Sequence, residues 1–226
     1  MPLTGIDHHG WLLFDELLKI PAPSGHEGAI ARFVVDWLRE RGYTPVVDGA
    51  GNVTVRLEGP VDAPLVCLAA HLDEIGLVVS HVESDGTLRV TRSGGLYPWK
   101  LGERAVEILG DQASITGAVS MGSGHSQSAV SSQPTWERAR VLTGRTPKSL
   151  GKCGVRPGTP IVPARETRGP VVFGDPDAPT IGAWSFDNRL GVAVLLQLLE
   201  HVKRDRLTPN CPFLVAFTVE EETGCH

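Results

Sequence analysis

The 226-residue sequence contains no apolar run approaching the roughly 20 residues that a membrane-spanning helix requires, so no membrane partner is expected. No basic region followed by an apolar core stands at the N-terminus, and no secretory signal is read there. Cys67, Cys153, Cys211 and Cys225 never form a Cys-x-x-Cys pair. Four scattered thiols fit reduced cysteines in a cytoplasmic protein. Positive charge is not in excess: the net charge of −5 speaks against nucleic acid as a partner. Internal repeats and low-complexity tracts are also missing, which excludes a solenoid.

What remains is ordinary globular composition, 41% apolar and 21% charged, at a length that allows one large domain or two smaller ones. The charge is uneven. Between Trp136 and Arg168 eight Lys or Arg residues face two Glu, a local balance of +6 that leaves −11 for the rest. A solvated basic face or a contact between subunits accounts for such a run.

Trp11, Phe14, Leu17 and Leu18 recur at helical spacing, and Pro21 and Pro23 close that segment. Ser24 and Glu27 have the S-x-x-E spacing of a capping box ahead of a second helix. Its apolar stripe is Ile30, Phe33, Val34, Trp37 and Leu38, and Gly42 stops it. Val46-Val47 and Val53 to Leu57 read as a strand pair around the turn Asp48 to Asn52. Leu65 to Ala69 has the uninterrupted apolar character of a buried central strand. From Gly76 to about Ile181 the pattern turns to short alternating strands without helical periodicity. Helix returns at Arg189, and Pro212 to Val219 reads as another buried strand. The expectation is an α/β body (1–75 and 182–226) interrupted by an all-β, barrel-like insertion (76–181).

Three clusters lie at or beside strand ends, where open α/β sheets place ligands. His71-Leu-Asp73 pairs a common metal ligand with a carboxylate able to hold its second ring nitrogen. Ser185 to Arg189 precedes a helix, and Asp187 is either an N-cap or a ligand. Glu220-Glu221-Glu222 stacks carboxylates whose repulsion a cation relieves, although a solvated acidic loop is the plainer alternative. Together these are the parts of a hydrolase with two zinc-type ions, which polarise a carbonyl while a free carboxylate moves the proton.

The chain resembles metallopeptidase family forty-two, the TET-type, glutamyl or deblocking aminopeptidases. The resemblance runs through Pro23-Ser-Gly-His-Glu27, Asp48-Gly-Ala-Gly-Asn52 and Ala70-His-Leu-Asp-Glu-Ile-Gly76. It continues through Leu150 to Pro163, Phe186-Asp-Asn-Arg-Leu-Gly191 and Glu221-Glu-Thr-Gly224. It implies a zinc-exopeptidase-like mixed sheet flanked by helices, with the insertion serving for dimerisation. It further implies two divalent ions, zinc or cobalt, peptide substrates and a homo-oligomer.

By the same resemblance His71 ligates one ion, Asp187 bridges both and Glu222 ligates the other. Asp73 orients His71, and Glu221 is the general base. His71 and Asp187 are 116 positions apart, and aspartyl-aminopeptidase relatives, which also carry a long insertion here, are a competing resemblance. Glu220 stands where the family has Gln, so the register of base and ligand within Glu220 to Glu222 is open. The family supplies a further Asp and His well beyond Glu222, and His226 is too near to be that His. The resemblance therefore implies that the sequence is the larger N-terminal part of an enzyme. A deacylase, a carboxypeptidase or a catalytically dead assembly subunit are the competing readings.

Overall fold

The computed structural model describes residues 8–122 and 134–224. It divides into two compact units, Met1–Glu74 with Gly169–His226, and Ile75–Arg168. The chain opens with α1 (His8–Leu18), α2 (Gly28–Glu40), β1 (Val46–Val47), β2 (Val53–Leu57) and β3 (Val66–His71). The second unit holds β4 (Gly76–Val82), β5 (Leu88–Ser93), α3 (Pro98–Leu101), β6 (Ala105–Leu109) and β7 (Ser114–Ser120). It continues with β8 (Arg140–Leu142), α4 (Pro147–Lys152) and β9 (Pro160–Pro163). β10 (Val171–Asp175), β11 (Ala178–Gly182), α5 (Phe186–Arg204) and β12 (Phe213–Thr218) return to the first unit.

In the first unit a mixed sheet runs in the order β1-β2-β12-β3. β12 is antiparallel to β2 and parallel to β3. Its core joins Phe14, Leu17 and Leu18 of α1 to Ile30, Val34 and Leu38 of α2. Val53 and Val55 of β2, Val215 and Phe217 of β12, and Val192, Leu196 and Leu199 of α5 complete it. Gly42, at φ +75°, ends α2: its amide donates to the Arg39 carbonyl and the Tyr43 amide donates to the Leu38 carbonyl. That pair of bonds is a Schellman closure, which favours glycine at the left-handed position.

β3 departs from the expectation of a central strand. Among the described residues it pairs with β12 alone, and Cys67 and Ala69 on one face are exposed. A short apolar run does not distinguish a strand covered on both faces from an edge strand covered on one. The Ser24–Glu27 capping box is not made either. Glu27 caps α2 with its backbone only, and both side chains bond elsewhere, as described below.

The second unit is a closed antiparallel barrel in the order β4-β5-β8-β7-β6-β9. Alternate residues, among them Leu77, Val79, Val106, Ile108, Ile115 and Val141, are buried inside it. Gly117 of β7 has no room for a side chain: a Cβ there would lie 2.8 Å from Val141 Cγ1 and 3.0 Å from the Leu142 carbonyl. The barrel-like expectation is met, but its boundary shifts. The compact unit closes at Arg168, and the β10–β11 hairpin, paired only with itself among the described residues, goes with the first unit. Two short helices were also not expected within this stretch. One of them, α4, carried a local signal, since Thr146 Oγ1 accepts from the Ser149 amide and Pro147 stands at the first helical position.

Cys67, Cys153 and Cys211 are free thiols, while the expectations for Cys225 and His226 lie outside the described residues. Among the described residues no helix is long and apolar enough to cross a membrane.

Candidate metal centre

The parallel pairing of β3 and β12 sets His71 opposite Thr218, so both strands release their chains at the same edge. The Leu72 amide continues the pairing by donating to the Thr218 carbonyl at 2.7 Å. The third cluster arrives from the start of α5. There Asp187 (φ −84°, ψ 108°) and Asn188 are non-helical, and the peptide between them is cis. The N-cap position of α5 is Ser185, and the exposed Asp187 side chain meets His71. At Gly191, one turn on, a Cβ would lie 2.0 Å from Asn188 Oδ1 and 3.2 Å from Ala70 Cβ, so a side chain there would displace the Asn188 amide.

His71 Nε2 lies 3.0 Å from Asp187 Oδ1 and 3.8 Å from Glu221 Oε2. Its Nδ1 faces Asp73, 3.2 Å from both the Oδ1 and the backbone carbonyl. One donor atom from each of His71, Glu221 and Glu222 fits within 4.8 Å of the others. Glu220 stands outside that grouping. Its backbone is left-handed (φ 57°) and its amide donates to Glu27 Oε1 at 3.1 Å.

Asp73 is fully buried and joins the clusters. Its Oδ1 accepts from the Glu221 amide at 3.1 Å, and its Oδ2 from the Glu222 amide at 3.0 Å and from Ser24 Oγ at 2.7 Å. Asn52 Oδ1 accepts from the Val219 amide at 3.0 Å, so the Asp48–Asn52 turn also fixes the exit of β12. The Pro23–Glu27 segment is thus a strap on the site. Its spacing was visible in the sequence, but that spacing alone does not tell a cap from a tertiary contact.

Burial opposes charge on His71, yet hydrogen bonds to Asp73 and Asp187 and the nearby carboxylates outweigh it and raise the imidazole pKa to about 9. Burial likewise pushes Asp73 up, but bonds from His71, Ser24 and the Glu222 and Glu221 amides prevail and lower it to about 2. Glu222 is raised, first by burial and then, against the pull of His71, by the charges of Glu221, Asp187 and Asp73.

These shifts fix a pH dependence for the ion-free protein. The raised His71 contributes stability that is complete below pH 6.5 and lost as pH rises through about 9. The lowered Asp73 contributes stability that is complete above pH 3.8 and lost as pH falls through about 2. Urea unfolding of chelator-treated protein should therefore show stability declining from pH 6.5 to 9. No decline there would mean that His71 is not held by these carboxylates.

The donor set fits a divalent cation that takes nitrogen and oxygen ligands. One imidazole with an outward Nε2 stands among three carboxylates, and a cation would offset both the burial and the neighbouring charges that raise Glu222. Of the residues read as ligands, His71 and Glu222 share this grouping with Glu221, while Asp187 joins through its contact with His71 Nε2.

Residues 51–226 match the family model described as M42 glutamyl aminopeptidase. The glutamyl aminopeptidase of Lactococcus lactis subsp. cremoris is 28% identical over 230 residues, covering 94% of this chain and 60% of the relative. An aminopeptidase from the archaeon Desulfurococcus kamchatkensis superposes with a TM-score of 0.82 at 28% identity, over 96% of this chain and 57% of that one. The TET1 peptidase of Pyrococcus horikoshii, which assembles into a tetrahedron or an octahedral shell, shares the fold. Its TM-score is 0.75 at 22% identity, over 95% of this chain and 62% of the other. The chain thus spans somewhat over half the length of these relatives.

Proposed function

Since this chain belongs to the M42 glutamyl aminopeptidase family, we propose that the whole protein is a metal-dependent aminopeptidase that removes N-terminal residues from peptides. The observation that carries this reading is the convergence of His71, Asp187, Glu221 and Glu222 where β3 and β12 end. His71, Asp187 and Glu222 would hold the divalent ions, two of zinc or cobalt. When bound, the ions supply Lewis-acid polarisation of the scissile carbonyl and make a water acidic near neutral pH.

Asp73 keeps the His71 Nδ1 side engaged, which leaves Nε2 as the ligating nitrogen. Glu221 takes the proton of the attacking water on its carboxylate and returns it to the leaving amine. Its half-exposed side chain lets it reach both, whereas Glu222 is more enclosed.

Aminoacyl-anilides with free and acetylated amines test the reading. Hydrolysis of the free-amine substrates only, abolished by chelator and restored by Zn²⁺ or Co²⁺, is the expected result. Equal cleavage of blocked substrates would point instead to a deacylase, and cleavage from the carboxyl end to a carboxypeptidase. Cytoplasmic residence belongs to the same proposal.

The whole protein is proposed to be a homo-oligomer that associates through the barrel unit. Support comes from the self-assembling TET1 relative in fold and from the exposed, stacked Tyr97 and Trp99, with centroids 4.6 Å apart. The +6 segment lies in the same unit. Light scattering should give a multiple of the protomer mass, reduced by Tyr97→Ser with Trp99→Ser. A monomer at micromolar concentration would rule this out.

A further inference from the structure

Two buried charged residues take no part in the chemistry above. Glu74 and Arg189 are both fully buried in the first unit, one just after the His71–Asp73 cluster and the other two residues after Asp187. A carboxylate removed from water in this way persists only when it is paired and hydrogen-bonded. Glu74 Oε1 accepts from the Ala22 amide at 2.8 Å and lies 3.6 Å from Arg189 Nη2. Its Oε2 accepts from Trp184 Nε1 at 2.9 Å and from Ser185 Oγ at 2.8 Å. Arg189 Nη2 also donates to the Ile20 carbonyl at 3.2 Å.

The partners of Glu74 therefore bracket Asp187 along the chain, with Trp184 and Ser185 before it and Arg189 after it. The bracketed backbone is irregular. Ser185 is left-handed (φ 56°, ψ 31°), and Asp187 and Asn188 are non-helical. Asp187 itself is 84% exposed, so no packed wall fixes its carboxylate. Its position opposite His71 is set by the course of its backbone, and Glu74 holds side chains on both sides of that stretch, Trp184 and Ser185 before it and Arg189 after it.

We propose that Glu74 is a positioning residue that holds Asp187 for ion binding, acting through Ser185 and Arg189. The inference rests on reading Asp187 as a ligand. A purely structural ion pair would support the fold without affecting how tightly or in what geometry an ion is held.

Titration of the whole protein with Co²⁺, followed by its visible absorption bands, separates the two roles. Glu74→Gln places an amide N–H against donors from Ala22, Trp184 or Ser185 and should weaken Co²⁺ binding about 10–100-fold while changing the bands. Ser185→Gly removes one of the bonds with a residue at ease in the left-handed region. It should weaken binding by about 10-fold with little change in the thermal midpoint. Absence of Co²⁺ uptake by the wild type would sink the ion reading itself. Uptake by the wild type with unchanged affinity and spectrum in both variants would overturn the positioning role alone. Should Glu74→Gln fail to fold, Ser185→Gly decides by the same criterion.

Discussion

Glu221→Gln in the metal-loaded whole protein should retain its ions and lose about 10²–10⁴-fold in turnover. The amide keeps the shape and one acceptor of the carboxylate but cannot take a proton. The contrast is with Glu222→Gln, which should weaken ion binding first. Glu222 is the more enclosed of the two, and its carboxyl is already pushed up by burial and by neighbouring carboxylates. A cation offers Glu222 the compensation that water offers Glu221. Turnover together with ion content, measured for both variants, assigns the roles. Loss of ions from Glu221→Gln and retention by Glu222→Gln would exchange them.

Asp73→Ala should have the largest effect on the fold of the site. The substitution withdraws the acceptor for two backbone amides and the Ser24 hydroxyl, and it removes the carboxylate beside His71. Breaking a buried, hydrogen-bonded pair of this kind costs about 3–5 kcal/mol. Ion affinity should fall with it, because the Glu221–Glu222 backbone would no longer be tied to the His71 loop. Asp73→Asn should do little better, since its Nδ2 would point a donor at one of the amides. Urea denaturation read alongside ion content provides the check. A loss below about 1 kcal/mol would show that the buried carboxylate does not organise the loop.

The sequence made some of these features legible and hid others for physical reasons. Periodicity exposed α1, α2 and most barrel strands, because each buries one face and the apolar residues recur with the pitch of the element. The edge position of β3 was hidden, since strand order depends on pairing that β12 supplies from far along the chain. Among site residues, His71, Asp73, Asp187 and the Glu221–Glu222 pair stood out by chemistry and by their place at strand ends. Glu74 and Arg189 did not. Each is a common surface residue type next to a conspicuous one, and only the packed structure reveals that both are buried. Ser24 and Glu27 share a local pattern, yet Ser24 bonds Asp73, and Glu27 accepts from the distant Glu220 amide as well as from the nearby Gly25 amide. Local patterns report short-range bonds, and the bonds to Asp73 and Glu220 are long-range.

The parallel register of β3 with β12 also bears on the order in which the molecule is built. Asp73 and the Glu221 amide that it binds are 148 residues apart, so the site closes only after the whole intervening segment has been made. The barrel is drawn from one contiguous stretch joined by antiparallel pairings, several of them simple hairpins, and such local topology closes sooner. Once closed, it shortens the effective loop separating β3 from β12 and lowers the entropy lost in pairing them. A lesion that delays the barrel, such as Gly117→Val beneath Val141, would then slow the closure of a candidate metal centre none of whose residues lie in it.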